Sequence, residues 1–312
     1  MVDAAFVNEL ISTMVEKRAY EGIFAAGARP ILRTENGAIG FKEARLTPDD
    51  VIQLLVLLRQ KSKFANNPLE ESGIFSFGIK NLGRFTVEYL QQRGSIVVSL
   101  RRMREKVFDI KQAVTSRELL PMLFHLIDQG TGLFIISGKN QVLNVSVAAS
   151  IISYITQKKL NVVYTVEKPQ THLLRHNNGV VIQREVGTDV MSFDEAIRQA
   201  LSMNVDILYL NDVPGEETLS GIFRAVERGI LVIAAFPSAG IPYSFLYLEN
   251  IAINPITVRE LTASSLQMVI SPLSFDHRAN VLHASWLFKK EEVSNMIRLG
   301  NYFELERFIK KS

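Results

Sequence analysis

A segment with the layout of a phosphate-binding loop, GxxxxGK[ST], follows the short apolar run at residues 133–136. Only Gly138 fits this pattern. Leu143 replaces the second glycine, Asn144 the phosphate-binding lysine, and Val145 the magnesium-binding hydroxyl. In such a loop the glycine lets backbone N–H groups approach the phosphates, the lysine neutralises their charge, and the hydroxyl ligates Mg²⁺. The segment therefore has the outline of a nucleotide-binding loop and lacks the groups that hold the nucleotide.

Three other residues could restore part of this chemistry. Lys139 lies inside the loop and could reach back to a phosphate, although a lysine there is more often a solvated loop residue. Asp206 and Asp212 flank an apolar run and are weak candidates for metal ligands. Without a loop hydroxyl or a phosphate to share the ion, we expect both to be structural. We predict no metal site and no cofactor, with ATP and Mg²⁺ binding only if Lys139 and Asp212 support a weak or unconventional ATPase.

Composition is that of an ordinary globular protein. The chain has 312 residues, 47% hydrophobic and 21% charged, which is enough for two domains. A net charge of +3 does not indicate a nucleic-acid partner, and the absence of cysteine excludes disulfides and thiolate metal sites. The sequence shows no signal peptide and no apolar run of membrane-spanning length. We expect a cytoplasmic protein.

The elements that would position the loop fall into two parts. In residues 1–110, apolar residues at helical spacing predict a helix between Phe6 and Val15. A second helix is predicted to begin after Thr47, which can cap it, with Pro48 in its first position. Strand-like segments follow at residues 74–77, 84–90 and 96–100. This pattern is typical of an α+β module.

Residues 113–312 alternate between apolar runs and helical segments. The runs at 133–136, 162–166, 206–210 and 230–235 are typical of buried parallel strands, which predicts an α/β fold. Capping boxes predict helix starts at Ser192 and Thr257, and Gly229 predicts a helix end. Two short helices are expected near the carboxyl terminus, at 293–299 and 303–309.

In the order of its segments, the chain resembles the secretion ATPases, and most closely the PilT-type retraction motors of type IV pili. LEESGIFSF at 69–77 followed by GRFTV at 83–87 resembles the family stretch LEETDFSF…ARFRVN. QREV at 183–186 with SFDEAIRQAL at 192–201 resembles QREVG…SFxEALRxAL, and VSNMIR at 293–298 resembles AIRNLIR. The resemblance implies an N-terminal PAS-like α+β domain (1–110) and a RecA-like P-loop NTPase core with C-terminal helices (113–312).

The family's other nucleotide-binding boxes also depart from the pattern at their chemical residues. Aligned on the resemblance, Thr171 stands where the acidic box has its general base, and Asp212 is a shorter substitute for the Walker B glutamate. Pro237 replaces the histidine of the histidine box, while Arg84 and Arg101 are candidates for an N-domain arginine directed at the nucleotide. Charged hydrogen bonds contribute roughly 1.5–3 kcal/mol each, and loss of a general base costs about 10²–10⁴ in rate. We therefore interpret the chain as a pseudo-ATPase.

Taken together, the resemblance implies a catalytically degenerate PilT-like protein that regulates or scaffolds type IV pilus (twitching motility) or related secretion machinery. Family members form hexameric rings, so a homo-oligomer or a hetero-oligomer with an active pilus ATPase paralogue is expected. An inner-membrane pilus platform protein is a further candidate partner, which would place the protein at the inner membrane. Two alternatives remain: a weak ATP-hydrolysing motor subunit, and a protein that binds another nucleotide ligand.

Overall fold

The computed structural model describes residues 2–34, 37–63, 65 and 70–312, so Leu69 of the LEESGIFSF segment lies outside the described residues. The chain forms two compact units. The N-terminal unit runs to Glu105 and also contains Pro169–Leu173 and Gly187–Asp189. The second unit consists of Lys106–Lys168, Leu174–Val186 and Val190–Ser312.

The N-terminal unit is an antiparallel sheet with two helices. Its helices are α1 (Ala4–Glu16) and α2 (Pro48–Arg59), and its strands are β1 (Glu21–Ala25), β2 (Ile31–Thr34), β3 (Gly37–Gly40), β4 (Ser72–Ile79), β5 (Gly83–Gln92) and β6 (Ser95–Arg102). The strand order is β3-β2-β1-β6-β5-β4, with antiparallel pairing throughout.

Local sequence explains most of these elements. Thr47 and Asp50 form a reciprocal capping box at the start of α2, with Pro48 in the first turn, as predicted. The three predicted strands are confirmed as the central parts of β4, β5 and β6. Strands β1–β3 were not predicted, because they are short and β3 is a fully exposed edge strand with no apolar alternation.

The second unit is built on a mixed sheet. Its helices are α3 (Ile110–Ala113), α4 (Leu119–Gln129), α5 (Gln141–Lys158), α6 (Phe193–Ser202), α7 (Glu216–Glu227), α8 (Ile241–Asn250), α9 (Pro255–Ser265) and α10 (Glu291–Leu299), followed by a 3₁₀ helix at Tyr302–Phe308. Its strands are β7 (Gly132–Ile136), β8 (Val162–Glu167), β9 (Val180–Glu185), β10 (Ile207–Leu210), β11 (Leu231–Ala235), β12 (Leu266–Asp276), β13 (Val281–Phe288) and β14 (Lys310–Lys311).

The strand order of this sheet is β14-β13-β12-β7-β11-β10-β8-β9. From β12 to β9 all neighbours are parallel, while β13 and β14 add an antiparallel edge. Helices α6–α10 pack on one face and α3–α5 on the other, and each face has its own apolar core. The carboxyl ends of β7, β10 and β11 therefore meet at one edge, where the loop at Gly138 lies.

The four predicted parallel strands are confirmed as β7, β8, β10 and β11. The helix start predicted at Thr257 is wrong: α9 begins at Pro255, and the side chain of Asn254 caps it by accepting from the amides of Ile256 and Thr257. Asn254 competes better because an asparagine before a proline is a stronger start signal than the threonine that follows. None of the helices in the described part of the chain has both the length and the apolar character needed to cross a bilayer.

Candidate functional site

The loop after β7 is shorter than the sequence pattern suggests. Helix α5 begins at Gln141, and the side chain of Asn140 caps it by accepting from the amide of Leu143 at 3.2 Å. The amides of Leu143 and Asn144 also donate to the carbonyl of Asn140, both at 3.0 Å. These N–H groups are thus used within the helix, whereas a phosphate-binding loop directs its N–H groups at the anion.

Asn144, at the position of the phosphate-binding lysine, is fully buried. Its Nδ2 donates to the carbonyls of Gly138 (3.0 Å) and Phe236 (3.2 Å) and to Gln141 Oε1 (3.0 Å). A lysine would place a positive charge here, whereas the amide satisfies backbone carbonyls and carries no net charge. The side chain therefore ties the inside of the loop together.

Gln141 continues this network to the neighbouring strands. Its Nε2 donates to the carbonyl of Asn211, after β10, at 2.8 Å and to that of Ala235, at the end of β11, at 3.1 Å. Sequence reasoning missed Gln141, although a signal was present: two amide residues, three apart, lie on one face of a helix that follows a buried strand. Gln141 and Asn144 together connect the loop after β7 to the carboxyl ends of β10 and β11.

Gly138 is required by packing. A Cβ atom at this position would lie 2.7 Å from the carbonyl oxygen of Pro272, closer than atoms of this kind approach in proteins. The neighbouring Ser137 donates its hydroxyl to the carbonyl of Phe236 at 2.8 Å. Packing alone thus explains why position 138 is a glycine, without a role in binding phosphate.

The remaining loop positions differ in exposure and chemistry. Lys139 is exposed, and Leu143 and Val145 are buried, with Leu143 part of the apolar core on the α5 face. Their predicted role as the remnant of a nucleotide-binding loop stays a prediction.

Asp206 and Asp212 lie at opposite ends of β10. At about 3.3 Å per residue, the two Cα atoms are roughly 20 Å apart, so the two carboxylates do not lie together, and each as a weak candidate metal ligand stays a prediction. Asp206 Oδ2 accepts from the amide of Val162 at 2.7 Å. Asp212 Oδ1 accepts from the amide of Val213 at 2.8 Å, and burial raises the pKa of this carboxyl. The described residues contain no group of three His, Cys, Asp or Glu side chains suited to a metal ion.

The acidic box retains one buried carboxylate. Glu167 ends β8, is 2% exposed, and accepts from the hydroxyl of Thr165 at 3.0 Å. The amide of Lys168 donates to Asn211 Oδ1 at 2.8 Å, which joins the ends of β8 and β10. The box therefore contributes to the architecture of this edge.

Thr171, at the position of the general base, belongs to the N-terminal unit. Its hydroxyl shares a hydrogen bond of 3.0 Å with Nδ1 of His172. Burial, and then the nearby Arg104, lower the pKa of His172 to about 3, so this imidazole is neutral at physiological pH. A threonine hydroxyl is far too weak a base to replace a carboxylate.

The histidine-box position, Pro237, is exposed and has neither a side-chain proton nor a backbone N–H. The next residue, Ser238, uses its amide to donate to the carbonyl of Gly138 at 3.2 Å and its hydroxyl to donate to the carbonyl of Gly240 at 3.0 Å. This segment therefore supports the loop without supplying an acid or a base.

The two arginine candidates lie on the sheet of the N-terminal unit. Arg101 donates from Nε to Glu21 and from Nη1 to Glu88, each at 3.0 Å, so its guanidinium is already paired with two carboxylates. Arg84 is partly buried, and its Nε has no hydrogen-bond partner within the described residues. The predicted role of both arginines at a nucleotide stays a prediction.

Comparisons with known proteins identify the family and the relatives of this chain. Residues 53–274 match the family described as type II/IV secretion system protein. The type IV pilus ATPase PilU of Pseudomonas aeruginosa is 24% identical over 73% of this chain and 58% of its own length. The type IV pilus retraction ATPase PilT of the same organism is 23% identical over 85% of this chain and 76% of its own length. The match thus spans little more than half of PilU.

Solved structures agree with these matches. The pilus retraction motor PilT with bound ADP superposes with a TM-score of 0.76 and 27% identity, covering 96% of this chain and 88% of PilT. The ATPase DotB of Legionella pneumophila has a TM-score of 0.74 at 15% identity, covering 98% of this chain and 88% of DotB, and this likeness concerns the fold alone. The mixed α/β fold of the chain is therefore the one found in PilT and DotB.

Proposed function

Because this chain belongs to the type II/IV secretion system protein family and is homologous to the pilus ATPases PilT and PilU, we propose that it is a catalytically degenerate, PilT-like member. In this proposal it regulates or scaffolds type IV pilus or related secretion machinery at the inner membrane and does not hydrolyse ATP. Its N-terminal unit corresponds to a PAS-like domain and its second unit to a RecA-like core.

The observation that carries the proposal is the amide network inside the loop. Asn144 donates to the carbonyls of Gly138 and Phe236, and Gln141 donates to those of Asn211 and Ala235. A triphosphate would have to break these hydrogen bonds. The lysine of the loop, Lys139, is exposed, so the loop has no buried cation at the position where the family pattern has its lysine. Since phosphoryl transfer depends on positioning and charge stabilisation, little remains here to accelerate it.

Titration calorimetry of the full chain with Mg·ATP tests the proposal. We expect no saturable heat up to about 1 mM nucleotide, a concentration that would reveal a dissociation constant of about 1 mM, which corresponds to a binding free energy of about −4 kcal/mol. Phosphate release measured on the same preparation should equal the buffer rate. Saturable binding together with turnover would contradict the proposal.

The burial of Asp212 favours one alternative, an unconventional ATPase that uses this carboxyl as base, because its raised pKa suits proton abstraction. In that case turnover would be present and would be lost in Asp212→Asn and Lys139→Ala. Lys158→Ala, which removes an exposed lysine from the other end of α5, is the matched control. The other alternative is a protein that binds a different nucleotide. A screen of nucleotides by melting temperature tests it, since a true ligand raises the melting temperature with occupancy.

The biological part of the proposal is tested by complementation. Deletion of the gene should alter twitching motility or secretion, and both the wild-type chain and Asp212→Asn should restore it equally, because a scaffold needs no base. Failure of Asp212→Asn at normal protein level would point to catalysis, and an unaltered deletion strain would contradict a role in this machinery.

A further inference from the structure

A cleft of about 560 Å³ lies within the N-terminal unit. Its walls are helix α1, the residue Lys61, which follows the end of α2, and the turn between β4 and β5. All of these belong to the N-terminal unit, whereas the loop at Gly138 belongs to the second unit. The cleft is therefore separate from that loop, and the inference below does not rest on the proposed function.

The floor of the cleft is apolar. Ile11 of α1 is 1% exposed and belongs to the apolar core of the N-terminal unit. Ile79, at the end of β4, and Leu82, just before β5, are partly buried and pack against the same core. A ligand with a hydrocarbon body would therefore remove apolar surface from water at this floor.

Two positive charges lie at the exposed part of the lining. Lys61 and Lys80 are exposed, and both line the cleft. Within the described residues, the ammonium group of neither lysine forms a hydrogen bond or an ion pair. None of the described residues that line the cleft is acidic. The charge of the lining is therefore of one sign, which favours an anion.

The carboxylates of α1 do not neutralise these lysines, because each of them has another partner. Glu9 pairs with Lys42, and Glu16 pairs with Lys17 at 2.8 Å. A bound anion would therefore be the partner that the two lysines of the cleft lack within the described part of the chain.

Two neutral polar side chains complete the lining. Asn8 and Ser12 lie four residues apart on one face of α1. Neither side chain forms a hydrogen bond within the part of the chain that the structure describes. An amide and a hydroxyl can both donate a hydrogen bond, whereas an ionised carboxylate only accepts. Together with the two lysines, the lining therefore offers four side-chain donors.

We propose that this cleft binds a small organic anion made of a carboxylate and a short hydrocarbon body. The carboxylate accepts from the ammonium groups of Lys61 and Lys80, and the body covers the apolar floor at Ile11 and Leu82. A cation would meet two like charges, and an inorganic anion would leave the floor in contact with water. The volume of the cleft lies in the range of about 300–1,000 Å³ that is usual for small-molecule sites.

Titration calorimetry of the full chain with hexanoate at constant ionic strength tests this site. We expect saturable binding with a dissociation constant of about 1 mM. Lys61→Gln and Lys80→Gln should each weaken this binding about two- to fivefold, because one opposite charge is lost. Arg93→Gln is the matched control and should bind like the wild-type chain. It removes an exposed cation just beyond the other end of β5, roughly 30 Å from Leu82.

Two further probes test the two parts of the ligand separately. Butanoate should bind about tenfold more weakly than hexanoate, because two methylene groups fewer contact the floor. Hexylammonium, which has the same body and the opposite charge, should give no saturable heat.

The proposal is overturned by the absence of saturable hexanoate binding up to about 10 mM, or by equal effects of Arg93→Gln and the two lysine substitutions. Butanoate or hexylammonium that binds as tightly as hexanoate would also refute it. Because both lysines are exposed, neither substitution should prevent folding, so the comparison of the variants decides.

Discussion

Gln141 and Asn144 bind four backbone carbonyls at positions where a phosphate-binding loop keeps room for an anion. An asparagine differs from the lysine of the family pattern in both its charge and its hydrogen-bonding partners. The amide can lie inside the protein without the desolvation cost of a buried ammonium. At the residue scale, Asn144 therefore both lacks a positive charge and binds the carbonyls around it.

Asn144→Ala tests this account through stability. Removing the amide leaves the carbonyl of Gly138 without a side-chain donor in a buried place, and it leaves that of Phe236 with the hydroxyl of Ser137 alone. We expect the free energy of unfolding, measured with urea, to fall by about 2 kcal/mol. Val142→Ala, which shortens an exposed side chain in the same helical turn, should cost less than about 0.5 kcal/mol. Equal losses would contradict the proposed role of the amide.

Asp212 should make stability depend on pH. Burial raises its pKa in the folded protein, so the folded protein binds the proton of this carboxyl more tightly than the unfolded chain does. The resulting contribution to the free energy of unfolding is fully present below the unfolded pKa, and it is lost as the pH rises through the raised folded value. Asp212→Asn should therefore be stabilised relative to the wild-type chain at pH 7 and less so at pH 4.5. Urea unfolding at both values measures the difference, and an advantage that grows toward acid pH would have the wrong sign.

At the scale of elements, the start of α5 is what distinguishes this loop. Only Ser137–Asn140 separate β7 from the helix, because Asn140 provides a cap one turn before the missing lysine. Neither Leu143 nor Val145 interrupts a helix as a glycine would, so the helix extends into the region that would otherwise curve around a phosphate. Leucine at position 143 is thus compatible with a helix that already begins at Gln141.

The C-terminal elements are joined by a charged network. Glu249 of α8 accepts from Arg259 of α9 at 3.1 Å and 2.6 Å, and also from the hydroxyl of Tyr302 in the 3₁₀ helix. The paired Arg259 is the main cause that lowers the pKa of Glu249, which stays ionised. The ring of Tyr302 stacks on Phe245 at 5.6 Å between centroids.

Tyr302→Phe isolates the hydroxyl of this network while keeping the ring. We expect a loss of about 1–2 kcal/mol in the free energy of unfolding, because the bond is made to a charged acceptor. Faster hydrogen exchange should be confined to the 3₁₀ helix and the end of α8. Tyr243→Phe, at a half-exposed ring, is the control and should change neither measurement. A neutral Tyr302→Phe would show that packing alone holds these elements.

At the scale of the whole molecule, both units of the PilT fold are retained, with 96% of the chain covered in the superposition on PilT. The proposed function attributes this retention to assembly with itself or with an active paralogue.

Mass measurement in solution tests that assembly. The purified chain, alone and mixed with a PilT-type ATPase of the same cell, should give a species heavier than either monomer. This assembly should not require this chain to bind ATP. Asp212→Asn should assemble like the wild-type chain. Monomers in every mixture, with and without Mg·ATP, would contradict the assembly proposal.

Several elements were accessible from local sequence. The capped helix after Thr47 and the buried strands β7, β8, β10 and β11 follow from caps and apolar runs. By contrast, β1–β3, β9 and β12–β14 were missed, because strands of this kind depend on pairing with distant partners more than on local pattern. Two short segments, Pro169–Leu173 and Gly187–Asp189, group with the N-terminal unit in the structure, and the domain bounds at 1–110 and 113–312 stay a prediction.

The sequence by itself determined that this chain has Asn144, Val145, Thr171 and Pro237 at the positions aligned with the family's lysine, hydroxyl, general base and histidine, because each of these is a side-chain identity. Only the tertiary structure decided which groups the side chains of the loop contact. The carbonyls that bind Gln141 and Asn144 include those of Asn211, Ala235 and Phe236, which lie 70, 94 and 92 residues further along the chain. Strand pairing brings these atoms within 3.2 Å of the amides, and no local pattern records such a distance.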